Sequence, residues 1–361
     1  MKVLIDGDFL VNKLTGLERA GCELLLAIDK LLLSTDAGLN SGVELAVPEN
    51  ASAEYSELIQ SFKIIKPFIE KKANKLLKNH YVWMLRHALS GNQTIVNLVK
   101  PMTLKRGSII KIADVRYMEK NREGEYWDKK KFRLKASLAA RIGIHNARYI
   151  VTVSDFSKSR IMYHFGVPSE KIKVIGEAWQ HFERIQEDDS IFKKYPQLKY
   201  ENYFFTVGTL ASHKNHKWIK AAAQYNKEST FVISGGIEPA LWKDVCSNNS
   251  TDNLIFTGRL NDGEMKALMR HSKAFIFPSF YEGFGMPPLE AMSVGTDCIL
   301  SDIPVHREIY GDSVYYIDPY DANVLLDDIM KENLQVSKSE VLSKYSWENA
   351  AGEWLKLMIN L

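Results

Sequence analysis

The chain has 361 residues, 45% of them hydrophobic and 25% charged, with a formal net charge of +3. This length exceeds what one ordinary core holds and predicts two domains of soluble globular composition, neither disordered nor fibrous. Cys22, Cys246 and Cys298 lie far apart with no CxxC spacing, which argues against a disulfide framework or a zinc site and fits a reducing compartment. No run approaches eighteen uncharged apolar residues, so no membrane-spanning helix is expected, and MKVLIDGDFL reads as a first strand rather than a signal peptide. Residues 1–177 carry 29 Lys+Arg against 19 Asp+Glu (+10), whereas the remainder carries 18 against 25 (−7). A basic half joined to an acidic half predicts that one face meets something anionic.

In chain order, short β-branched or aromatic runs alternate with amphipathic stretches, the pattern of parallel sheets with crossover helices. First-half strands are expected at 2–6, 43–48, 108–115, 149–154 and 171–175, with helices at about 17–33, 67–89, 130–146 and 155–165. Ser154 is placed to cap the last of these helices. A polar, charged stretch over 178–200 marks a domain boundary. Second-half strands are expected at 203–208, 230–234, 253–258, 274–278, 298–301 and 314–318. Helices are expected to begin near Lys214, Glu238, Asp262, Pro288, Pro304 and Asp321. Six strands so evenly spaced predict a doubly wound sheet, whose ligands sit outside the carboxyl ends of the strands. The closing YSWENAAGEWLKLMINL places Trp347, Ala351, Trp354, Leu355 and Met358 on one helical face, which needs a partner surface, expected on the first domain.

The segment AFIFPSFYEGFGMPPLEAMSVG, residues 274–295, carries the most chemistry. A hydrophobic strand ends at Pro278, a loop holds Glu282, Gly283, Phe284 and Gly285, and a helix bounded by Pro287–Pro288 and Gly295 follows. Its glycines let the backbone approach a ligand, and the helix start offers N–H groups to a diphosphate. Glu290, expected in the helix's first turn, can accept from a vicinal diol such as ribose, and Glu282 stands where an attached sugar would lie. On spacing alone, two surface glutamates beside an ordinary turn explain the pattern equally well.

EGFGMPPLE resembles the E-x7-E signature of the retaining GT-B glycosyltransferases of family four, the glycosyl transferases group one. VGTLASHKNH, FTGRLNDGEMKALMRHSKAFIFPS, IVTVSDFSKSRI, LTGLERAGCELL and SWENAA resemble further segments of that family, in its order. The resemblance implies an α/β GT-B architecture of two Rossmann-like doubly wound domains facing a deep cleft. The N-terminal, acceptor-binding domain is expected over 1–180 with a returning helix at 345–361, and the nucleotide-sugar domain over 181–344. By resemblance, Glu282 and Lys214 are catalytic: Glu282 contacts the donor sugar and Lys214 neutralises the diphosphate. Gly208, Thr209, Gly283, Phe284 and Gly285 line sugar and phosphate, Arg259 and Leu260 border the base, and Glu290 holds the ribose. Gly16 approaches the diphosphate from the first domain. The implied reaction is retaining and metal-independent transfer of a hexose from a nucleotide-diphosphate sugar to a glycan or lipid-linked acceptor, set in bacterial surface polysaccharide or lipopolysaccharide synthesis. No cofactor and no metal is expected, Lys214 and helix N-termini standing in for a cation, and no DxD motif or His/carboxylate cluster is expected to hold one.

The chain departs from the family at KIADVRYME, where Ala113 occupies the place of a sugar-contacting histidine and Asp114 remains; either the donor lacks the usual hydroxyl partner, or Asp114 or Arg116 substitutes. Thr209 stands where relatives often carry a basic residue, leaving Lys214 with only His213 beside it. Residues 62–89 hold seven Lys/Arg against one acid, interleaved with apolar residues, and KKKFRLK at 129–135 adds a second basic run. Together these predict a cytoplasmic protein resting peripherally on the anionic inner face of the membrane, or simply a solvated basic face. No recognition motif predicts a nucleic-acid partner. A phosphorylase or epimerase of the same fold, and a degenerate nucleotide-sugar-binding scaffold, are the rival readings.

Overall fold

Seven short apolar runs pair in parallel into one sheet, and six into a second. The computed structural model describes residues 2–34, 42–70, 93–200, 202–209, 211–235 and 252–359. The first sheet comprises β1 (Val3–Asp6), β2 (Val43–Pro48), β3 (Lys66–Glu70), β4 (Thr94–Asn97), β5 (Ser108–Lys111), β6 (Ala147–Thr152) and β7 (Ile172–Val174), in the order β3-β2-β1-β4-β5-β6-β7. The second comprises β8 (Tyr203–Val207), β9 (Thr230–Ser234), β10 (Leu254–Gly258), β11 (Ala274–Phe277), β12 (Cys298–Ser301) and β13 (Tyr315–Ile317), in the order β10-β9-β8-β11-β12-β13. Each sheet reverses its winding beside its first strand, between β1 and β4 and between β8 and β11, the topological switch point of doubly wound folds.

The chain divides into two compact units: residues up to Ala178 together with Ser346 onward, and Trp179–Tyr345. In the first unit the closing helix Trp347–Ile359 packs against the helix Gly16–Ser34. It buries Trp347, Ala350, Ala351, Trp354, Leu355 and Met358, the face the sequence pattern predicts plus Ala350. Ser154 Oγ accepts from Ser157 N at 3.0 Å and caps the helix Asp155–Phe165. One residue before the chain leaves this unit, Glu177 makes a buried ion pair with Lys111 on β5 at 2.6 Å.

In the second unit Phe204, Phe231, Ile233, Ile276 and Ile299 from four strands form a core with Trp218 and Ile219 of the helix His216–Tyr225. Strands buried on both faces read as continuous apolar runs, which is why β8, β9, β11 and β12 were legible. The helix Asp262–Arg270 begins in a capping box, Asn261 Oδ1 accepting from Glu264 N at 2.8 Å and Glu264 Oε2 from Asn261 N at 2.9 Å.

Several expectations are corrected. Residues 66–70 form β3 rather than the start of a helix over 67–89, Phe68 pairing with Ala46 in register, and 71–89 lie outside the described residues. β4 was not anticipated, and β5 stops at Lys111 rather than 115. Residues 212–214 form a single 3-10 turn and the helix proper starts at His216. The helix expected from Asp321 starts at Leu326, because Asp318 and Asp321 instead close turns by accepting from Tyr320 N and Asn323 N at 2.8 and 2.9 Å. The helix expected from Glu238 lies outside the described residues. Among those described, no helix is long and apolar enough to cross a membrane.

Candidate active site

Lys214, Glu282 and the loops bearing Gly208, Thr209 and Gly283–Gly285 lie where β8 and β11 end side by side, whereas Arg259 and Leu260 follow β10, two strands from β8. After β8 the chain runs through Gly208 and exposed Thr209 into the turn Ser212–Lys214. Asn215 follows in the left-handed conformation (φ 56) and is buried. Its amide donates to Pro278 O at 3.0 Å and Pro319 O at 2.8 Å, so one side chain ties the loop after β8 to the ends of β11 and β13. Two buried bonds offset the strain of a non-glycine residue there. Phe280 N donates to His213 O at 2.7 Å and fixes the loop after β11 to the same turn. Lys214 therefore projects from a rigid support.

Its ammonium lies 2.7 Å from Glu282 Oε1 and 4.9 Å from the centroid of the Phe277 ring. The two side chains retain 21% and 12% of their exposure, so the pair is neither fully solvated nor sealed. Burial alone would raise the Glu282 carboxyl; the Lys214 ammonium, His213 and the hydrogen bond from Lys214 outweigh it and hold the carboxyl below its usual range. An anionic carboxylate and an ammonium thus face each other at the carboxyl end of the sheet's switch point.

Gly283, Phe284 and Gly285 are buried. Gly285 adopts φ +95 immediately before the helix Met286–Ser293, a conformation that L side chains avoid, and Tyr310 Oη donates to its carbonyl. Gly208 is needed for space: a Cβ there would stand 3.1 Å from His216 Nε2, and the Gly208 carbonyl itself packs against the Gly235 backbone. His216 Nε2 donates to Thr209 O at 2.9 Å. Glu290 lies in the second turn of its helix, not the first as expected, and is buried with Oε1 3.0 Å from His181 Nε2. Arg259 is exposed and Leu260 half-buried in the loop after β10.

Gly16 and Asp114 belong to the first unit. Gly16 opens the helix Gly16–Ser34, and the loop before it is held by buried Glu18, which accepts from Asn12 Nδ2 at 2.9 Å and from Thr15 Oγ1. Asp114 Oδ1 accepts from Arg116 N at 2.9 Å, and the Arg116 guanidinium lies 3.4 Å from Asp128. Asp114 therefore shapes the turn, and Arg116 is partnered by a carboxylate.

Two carboxylate groupings qualify the expectation that neither a DxD motif nor a His/carboxylate cluster exists. Asp6-Gly7-Asp8 follows β1, where Asp6 Oδ1 accepts from Asp8 N at 2.9 Å and Asp8 pairs with Lys100. Glu187, Asp189 and His271 converge within 4.8 Å, with Glu187 also held by Arg270 at 2.7 Å. A sequence separation of 82 residues between Asp189 and His271 hid the second grouping.

His306 was also missed. It is fully buried and donates from Nδ1 to Ser301 O at 2.9 Å, leaving Nε2 as an acceptor beside Gly285. Burial pushes its imidazole down to about 4, against the opposing pull of the Ser301 carbonyl and Glu282. A folded-state value below the ordinary one favours folding while the ring is neutral. Stability attributable to His306 is expected to be complete above pH 6.5 and to decline as pH falls towards 4. Denaturant titrations should show that decline in the native chain and a flatter profile over the same interval in His306→Gln. An identical profile in the variant would assign the acid loss elsewhere.

Residues 187–346 match the family described as "Glycosyl transferases group 1". The chain is 32% identical over 226 residues to the "O-antigen chain mannosyltransferase RfbU" of Salmonella typhimurium, the match covering 60% of this chain and 61% of that protein. It is 30% identical over 226 residues to the "O-antigen chain mannosyltransferase B" of Escherichia coli, covering 57% and 59%. The chain thus spans about three fifths of the length of these curated relatives. Among solved structures it superposes on Anabaena Alr3699/HepE, crystallised with UDP and glucose, with a TM-score of 0.72 at 13% identity and full coverage of both chains. That likeness establishes the fold, an α/β GT-B architecture of two Rossmann-like units.

Proposed function

We propose that this chain, whose residues 187–346 form a glycosyl transferases group 1 module, transfers a hexose, mannose by the names of its relatives, from a nucleoside-diphosphate sugar to a growing glycan or its lipid-linked carrier. The observation that carries this reading is the Lys214–Glu282 pair at the β8/β11 switch point, with the Gly285 turn and Glu290 on the element that follows. A cation that an incoming diphosphate draws from Glu282 stabilises the charge that builds on the leaving group as the anomeric bond breaks. Glu282 then stands as an anion for the sugar and its developing positive charge. In our reading transfer is retaining, with the diphosphate oxygen accepting the acceptor's proton, and Lys214 takes the part a metal plays elsewhere.

A thermal-shift screen against GDP, UDP, ADP, dTDP, CMP and their common sugar conjugates tests this. At a hundred times its dissociation constant, a true donor is expected to stabilise the fold by about 2.7 kcal/mol. GDP-mannose, the donor named for a Xanthomonas oryzae mannosyltransferase 24% identical to this chain over 152 residues, and GDP are the expected responders, unaffected by EDTA. A response to UDP sugars alone would reassign the donor, and silence from all would favour a degenerate scaffold.

The finer setting, contact with an anionic membrane surface, is supported by the helix Lys130–Asn146. Its opening turns expose Phe132 (52%), Leu134 (64%) and Leu138 (59%) among exposed Lys129, Lys130, Lys131 and Lys135. Apolar side chains interleaved with lysines suit the headgroup boundary. Of the basic stretch 62–89 only 62–70 is described, where Phe68 and Ile69 are exposed on β3. Cosedimentation with vesicles containing phosphatidylglycerol is expected, weakened several-fold in the triple variant Phe132→Ser, Leu134→Ser, Leu138→Ser. Native protein left in the supernatant at low salt would end the membrane reading.

A further inference from the structure

Glu290 does not stand alone. Its carboxylate is buried, and Oε1 lies 3.0 Å from Nε2 of His181, a side chain only 2% exposed. A buried carboxylate needs a donor, and a ring nitrogen at this distance supplies one when Nε2 carries the proton. The segment bearing His181 is fixed on every side. Trp179 Nε1 donates to Leu342 O at 3.0 Å and Gln180 Nε2 to Tyr345 O at 2.9 Å, immediately before it. The four-residue helix His181–Arg184 ends on the ammonium of buried Lys266, which donates to Phe182 O at 2.9 Å, Ile185 O at 2.7 Å and Glu183 O at 3.3 Å. The Phe182 ring is buried and meets the imidazole edge-on at 6.3 Å.

We propose that His181 is the positioning residue that aims Glu290 at the nucleotide's ribose and thereby sets the preference for ribonucleotides. This rests on reading Glu290 as the ribose ligand. A carboxylate accepts about four hydrogen bonds. With His181 occupying one lone pair of Oε1, the carboxylate plane is fixed and the remaining lone pairs stay directed to a vicinal diol. Loss of the imidazole frees the carboxylate to rotate, so the diol loses its preorganised acceptor while the phosphate and base contacts persist.

The test is titration calorimetry with GDP, 2′-deoxy-GDP, UDP and 2′-deoxy-UDP. In the native protein the ribo form of whichever base binds is expected to be favoured about tenfold or more, as for a lost hydrogen bond to a charged group. In His181→Ala that preference should shrink below about threefold with kcat at saturating donor retained, and His181→Gln, which returns an amide N–H near the Nε2 position, should restore it. Should the alanine variant unfold, His181→Asn, whose shorter side chain withdraws the donor from Glu290, is expected to show the same loss. A variant that keeps the full ribose preference, or loses all nucleotides and turnover in proportion to its stability, overturns the proposal. No nucleotide binding by the native protein would instead count against the donor site itself, and equal ribo and deoxy affinities would remove Glu290 from the ribose together with His181's role.

Discussion

Replacing Lys214 with alanine is expected to lower kcat by about a hundred- to a thousand-fold, the usual consequence of removing one preorganised group from a developing anion. The ammonium is held over the Phe277 ring and against Glu282 by a turn that Asn215 locks to two other strand ends, so solvent cannot readily supply a replacement in the same place. The variant also leaves Glu282 without its cation. Burial then dominates that carboxyl, and a stability loss of about 1–3 kcal/mol is expected, less than for a fully sealed pair because both side chains retain some exposure. The double variant Lys214→Ala, Glu282→Ala should recover much of the stability and none of the turnover. Steady-state kinetics and denaturant unfolding of the three proteins separate the two effects. Unchanged turnover in Lys214→Ala would remove the lysine from the mechanism, and a stability loss that the double variant does not relieve would show that Glu282 is not the group left stranded.

Trp354→Ala is expected to destabilise the first unit by about 3–5 kcal/mol, the range for truncating a large aromatic in a core. Trp354 is 1% exposed on the helix Trp347–Ile359, which packs against the helix Gly16–Ser34 although some 300 residues of sequence separate them. For a unit of this size the loss corresponds to about 6–20 °C in Tm. Differential scanning calorimetry should place the shift in the transition that nucleotide does not move, since the candidate donor site lies in the other unit. A change below about 1 kcal/mol would mean that the closing helix is an appendage rather than part of the core.

The second sheet was readable because β8, β9, β11 and β12 are apolar runs buried on both faces and all six strands are bounded by turn residues. β9 and β12 begin and end where the apolar runs do. The first sheet was less so. β3 is KPFIE, an edge strand interrupted by Pro67 and flanked by lysines, a composition that reads equally as the start of a basic helix. β4 is TIVN, four residues with no alternation to count. In the site, Glu282 and Lys214 were singled out from motif residues 68 apart, and the structure puts them in contact. Nothing in the sequence could join His181 to Glu290, 109 residues away and set in a polar stretch where a lone histidine reads as solvated. His306 was equally hidden, because its significance is its burial, which Pro304-Val305-His306 does not announce.

The side-chain bonds from Trp179 to Leu342 and from Gln180 to Tyr345 bring the two ends of the second unit side by side. In topological terms Trp179–Tyr345 is an insert, spliced into a first unit whose own sequence resumes at Ser346. Such a module is excisable: a short linker between Ala178 and Ser346 would bridge the gap, since loop closure over a small span carries a modest entropic penalty. The same adjacency makes the insert portable, able to be grafted with both ends into an exposed turn of another scaffold without stretching either.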